Sequence, residues 1–143
     1  MKIEFKTLAT LAGLMLFSLS LLWLFAPNLL LSDWGVELSE GIGLIGRRAA
    51  ALYAGIGVMF LLSRNAETST ARSALVRGLL VSCLLLAALG LYELWGGHVT
   101  NKILFAVAIE IAVALACARV NNDGGNSAPR AASITPIKKR RSK

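Results

Sequence analysis

The feature that most restricts this chain is a fourfold recurrence of long, nearly charge-free stretches, at residues 7–25, 41–62, 74–95 and 102–118. A helix needs about 20 mostly apolar residues to cross the ~30 Å hydrocarbon core of a bilayer. Four such stretches predict an all-α chain, a bundle of four transmembrane helices. Composition agrees: of 143 residues, 56% are hydrophobic and only 16% charged, with a mean hydropathy of +0.66, whereas a soluble domain carries about 25% charged residues. An ordinary soluble globule is excluded, and so is disorder over most of the length. Two cysteines are too few for a disulfide framework.

Lys2 and Lys6 ahead of the first stretch imitate a secretory signal. The stretch is longer than a signal core, however, and it ends in Leu24-Phe25-Ala26, with leucine where a cleavage site wants a small residue. It is expected to stay as the first span.

Four spans return the chain to its starting side, and basic residues choose that side. One face collects Lys2, Lys6, Arg64, Arg72, Arg77, Arg119, Arg130, Lys138, Lys139, Arg140, Arg141 and Lys143; the other has Arg47, Arg48 and Lys102. This asymmetry predicts cytoplasmic N- and C-termini in a bacterial inner membrane. All three tryptophans (Trp23, Trp34, Trp95), with Tyr92, then fall at the outer boundary, where half-solvated aromatic rings are favoured. Pro27 is expected to end the first helix, and residues 29–35 to lie in the outer interface.

Residues 1–119 form the expected transmembrane domain, and 120–143 a disordered basic cytoplasmic tail rich in Gly, Asn and Ser. Lys138, Lys139, Arg140, Arg141 and Lys143 place much of the net charge of +7 at that end. There it either presses on anionic lipid, each charge contributing ~1 kcal/mol near the surface, or only fixes topology. The basic balance therefore speaks for the lipid bilayer as partner and against nucleic acid.

The apolar run 49–62 of the second span covers roughly 21 Å, short of a ~30 Å core. The helix must therefore extend through Arg48 and Arg47, embedding that pair in the outer half or letting it snorkel to the surface. Arg47 shares a face with Ala50, Ala51 and Ala54, small residues suited to close helix contact. Glu110 sits near the middle of the fourth span with Ala106 and Ala114 four positions to either side, which points it into the bundle. Glu93 is near the outer end of the third span, on a face with Gly90, Leu86 and Ser82. The four residues Arg47, Arg48, Glu93 and Glu110 are expected either to form an ion-paired network holding the helices in register or to line a polar pocket open to the periplasm. A shared network predicts non-additive losses for Glu110→Gln and Arg47→Ala.

Other signals are sparse. Arg77, one turn inside the third span, reads as a snorkelling anchor. His98 is the single histidine; it sits in a turn, is expected to be solvated, and has no clustered partners for a metal. Cys83 and Cys117 differ in depth and form no C-x-x-C pair, against redox chemistry. Gly55 and Gly57 lie inside a span with no preceding strand, so they mark helix contact, not a nucleotide fingerprint. There is no P-loop, zincin motif or nucleophile elbow.

Gly46-Arg47-Arg48-Ala49-Ala50-Ala51 continuing to Gly55, the short return Ser63-Arg64-Asn65-Ala66 and the closing Gly96-Gly97, together with size and topology, resemble the small bacterial four-helix membrane proteins grouped as DoxX-like. The likeness covers roughly residues 1 to 119. It implies the fold and no catalytic residues, because that group shares no common activity. The leading expectation is a non-enzymatic membrane protein without a cofactor. It would bind a small ligand, a lipid or a partner subunit through the Arg/Glu cluster, as a homo-oligomer or beside another membrane subunit. One alternative is a small transporter or proton-coupled carrier titrating Glu110. Because some DoxX-type proteins are tied to quinone-linked sulfur oxidation, the resemblance leaves another open: the membrane subunit of a quinone-linked oxidoreductase, with quinone as its cofactor.

Overall fold

A computed structural model describes residues 4–125. It is all-helical, with α1 Phe5–Phe25, α2 Pro27–Trp34, α3 Glu40–Ser63, α4 Thr70–Trp95 and α5 Ile103–Gly125. Four of these (α1, α3, α4 and most of α5) are long and apolar enough to cross a membrane. The residues Lys138, Lys139, Arg140, Arg141 and Lys143 lie outside the described part.

Local chemistry sets the helix boundaries. Ala26 precedes a proline, which disfavours the α conformation, and its extended φ of −141° ends α1. Pro27 then opens α2, where its missing N–H costs nothing. The interfacial segment expected around 29–35 is thus a short helix. It stops at Gly35, whose φ of +76° suits glycine, while Val36 N–H donates to Leu31 O at 2.9 Å. Ser39 and Ser69 cap α3 and α4, their hydroxyls accepting from the amides of Ile42 (3.3 Å) and Arg72 (3.2 Å).

Packing is pairwise. α1 lies closely on α3, and α4 closely on α5; between the pairs, α1 approaches α5. Small residues permit the close pairs. Gly13 and Gly57 face each other across α1 and α3, so that a Cβ on Gly57 would come 3.0 Å from the Gly13 carbonyl oxygen. Gly46 takes the face of Trp23, and Gly90 takes Val107. The largest buried cluster draws on all four long helices through Phe5, Leu8, Ala12, Phe60, Val76, Cys83, Ala114 and Cys117. It lies toward the end where α1 begins and α5 finishes.

The remaining surface is apolar: Phe25 is 76% exposed, Phe105 75% and Leu62 81%. In water such a surface would drive aggregation. In hydrocarbon it is the solvated surface, and the fold is compatible with a multi-pass membrane protein. At the opposite end of the bundle Trp23 packs against Trp34, ring centroids 6.2 Å apart, and Trp95 projects outward.

α5 runs beyond the expected boundary at residue 119. Val120 is buried, and the side-chain oxygen of Asn121 accepts from Ser73 Oγ and from Arg77 Nε, each at 3.3 Å. These contacts extend the helix where Asn and Gly content alone suggested a linker. Arg77 is exposed as an anchor would be, yet it also ties α4 to α5.

Candidate functional site

The four charged residues singled out in the spans are not brought together. Arg47 and Arg48 lie on exposed positions of α3. Helical side chains lean toward the helix N-terminus, which in α3 is the tryptophan end. Arg47 follows that lean, its Nη1 reaching back to within 3.7 Å of where a Gly43 Cβ would stand. Glu93 turns to His98 across the α4–α5 turn, Oε2 to Nδ1 2.8 Å. Among the described residues the ion pairs are Glu93–His98 and Asp33–Lys102. The ion-paired network of Arg47, Arg48, Glu93 and Glu110 therefore does not form. Arg47 leans back along α3 toward Gly43, Arg48 is exposed without an ion-pair partner, and Glu93 turns to His98.

Glu110 stands apart. It falls on the stripe Ile103, Val107, Ala114, Cys117 and Val120, all buried, at three- and four-residue spacing. That stripe turns α5 inward. The side chain as a whole is half-buried, but Oε2 is enclosed and has no hydrogen-bond partner. Neither arginine acts on it. Cys83 of α4 belongs to the core cluster that contains Ala114, one turn along α5 from Glu110, and Tyr53 of α3 packs against that cluster. Tyr53 lies five positions, roughly 7.5 Å of helix rise, from Arg48 toward the far end of α3. The site is thus a single carboxylate on the inward stripe of α5, at the seam between the helix pairs and beside the core cluster on which Tyr53 packs.

Two groupings at the bundle ends escaped the sequence. At the tryptophan end Thr100 N–H donates to Trp34 O (2.9 Å), Thr100 Oγ1 to Asp33 O (2.6 Å) and Lys102 Nζ to Asp33 Oδ1 (2.6 Å). These bonds tie α2 to the α4–α5 turn, joining the two helix pairs. An open cleft of about 520 Å³ lies beside α2, floored by Leu31 and Val36 and rimmed by Asn28, Ser32 and Glu37. At the other end Arg72 stacks on Phe5, its guanidinium carbon 4.1 Å from the ring centroid, next to the Ser73–Asn121–Arg77 cluster. The signal for Asn121 was available: the spacing from Glu110 through Ala114 and Cys117 reaches it. The Asp33–Thr100 contact joins residues 67 apart and left no local mark.

His98 is exposed but not merely solvated, because its ring also covers Gly96. Cys83 and Cys117 are both free and buried in the core cluster. Among the described residues, no group of three or more His, Cys, Asp or Glu could hold a metal. Comparison with protein-family models, curated proteins and solved structures finds no match.

Proposed function

We propose that this is a DoxX-like, multi-pass protein of the bacterial inner membrane, with both termini in the cytoplasm, that binds a small ligand in the seam at Glu110. One observation carries the reading: Glu110 holds an enclosed carboxylate oxygen without a donor, on a stripe whose other residues are apolar or a thiol. An intramembrane carboxylate is costly and is retained chiefly where it serves ligand, ion or proton binding. The orientation rests on the twelve-to-three division of basic residues. The arginine pair is then an outer-leaflet anchor and not part of the binding group, so the anchor of the ligand narrows from four residues to Glu110.

Native mass spectrometry of detergent-purified protein tests this. A discrete retained mass, displaced from Glu110→Gln but kept in Arg47→Ala, is expected; the same mass retained on Glu110→Gln would refute it. Because Glu110 is also the one carboxyl on the inward stripe of α5 among the described side chains, a second reading is a proton-coupled carrier. In liposomes it would show substrate flux that Glu110→Ala abolishes while the helices stay folded. A partner subunit, a homo-oligomer or a retained quinone would register in the same native spectrum as added mass.

A further inference from the structure

We infer that the Glu110 seam takes an organic cation with an apolar body, an inference that rests on Glu110 being the ligand anchor. An ionised carboxylate only accepts hydrogen bonds, and Oε2 has none to accept. No guanidinium or ammonium of the described residues pairs with it. The complement this oxygen lacks is therefore positive charge.

The outer flank of the seam specifies the rest of the ligand. Glu110 is only half-buried, and to one side of it on α5, about 100° and 140° around the helix, Ile109 and Phe105 are apolar and exposed. A ligand whose charge meets the carboxylate leaves its remaining surface against these side chains and lipid chains. A compact, strongly hydrated cation gains nothing there, whereas an onium or amine centre carried on aromatic or aliphatic groups fits both halves. A neutral carbonyl ligand is disfavoured while the carboxyl is ionised, because it would set its own oxygen lone pairs against those of the carboxylate.

The test uses the full chain in lipid nanodiscs with two probes of similar shape, radiolabelled tetraphenylphosphonium and neutral triphenylphosphine oxide. Expected is saturable phosphonium binding that weakens at least tenfold in Glu110→Gln and has no counterpart with the oxide. Glu110→Gln is close to isosteric and should keep the helical circular dichroism; should it not fold, Glu110→Asp, which keeps the charge one methylene shorter, must bind with intermediate affinity. Equal phosphonium binding by wild type and Glu110→Gln overturns the inference. So does the absence of saturable phosphonium binding. Glu110-dependent binding of the oxide alone also overturns the cation, while leaving Glu110 as the anchor. Loss of any Glu110-dependent mass in the native spectrum is the separate result that removes the anchor itself.

Discussion

Replacing Gly57 by alanine tests how the first helix pair is held. The added Cβ would stand 3.0 Å from Gly13 O, 3.3 Å from Phe17 N and 3.5 Å from Leu16 Cβ. Two of these atoms are α1 backbone, so relief requires the helices to part; no side chain can rotate out of the way. Overpacking of this kind costs about 1–3 kcal/mol, and the higher helix propensity of alanine returns about 0.5–1 kcal/mol. The net loss is up to about 2.5 kcal/mol, a shift of up to roughly sixtyfold in the unfolding equilibrium. Gly55, two positions earlier on the same helix, supplies the control, because a Cβ there meets nothing within 4 Å. Gly55→Ala should therefore be neutral or stabilise by up to ~1 kcal/mol. The measurement is reversible dodecyl sulfate unfolding in mixed micelles, followed by tryptophan fluorescence. Gly57→Ala should unfold at the lower detergent fraction, and equal midpoints for the two variants would refute the close backbone approach. Gly13→Ala should couple to Gly57→Ala, since the two share one contact.

Other outcomes follow from the same geometry. Asn121→Ala removes the acceptor shared by Ser73 and Arg77 and should cost about 1 kcal/mol, discounted from the usual charged-donor figure because Arg77 is solvent-facing; no change in unfolding midpoint would mean the cluster is ornamental to stability. Gly35→Ala meets both the strain of φ +76° and Thr100 Cγ2 at 2.7 Å; a loss of roughly 1–2 kcal/mol is expected, together with faster hydrogen exchange at the Thr100 amide. Lys102→Ala breaks a pair whose side chains are 69% and 62% exposed, so the midpoint should fall by less than about 1 kcal/mol, and less still at high salt. Glu110→Gln and Arg47→Ala, which share no contact, should be additive within about 0.5 kcal/mol in a double-mutant cycle; strong coupling would revive the ion-paired network.

Much of the architecture was written in one dimension. Helix type and number followed from the length of each apolar stretch, because a backbone in hydrocarbon has to satisfy itself within its own segment. The inward face of α5 was equally local: Ala106 and Ala114 around Glu110 marked it, and extending that spacing would have reached Asn121. Pro27 announced a break, though not that a helix would resume at once.

What a side chain meets across a gap between helices was not written there. Arg47, Arg48, Glu93 and Glu110 have matching charges and overlapping depths, and depth alone suggested that they pair. Pairing also depends on rotation about each helix axis and on the direction in which each side chain leans, and these are settled only when α3 lies against α1 and α4 against α5. Tertiary packing left Arg47 and Arg48 on exposed positions, gave Glu93 to His98 and tied Asp33 to Lys102. It left the carboxyl of Glu110 on the inward stripe of α5 with no cation of its own.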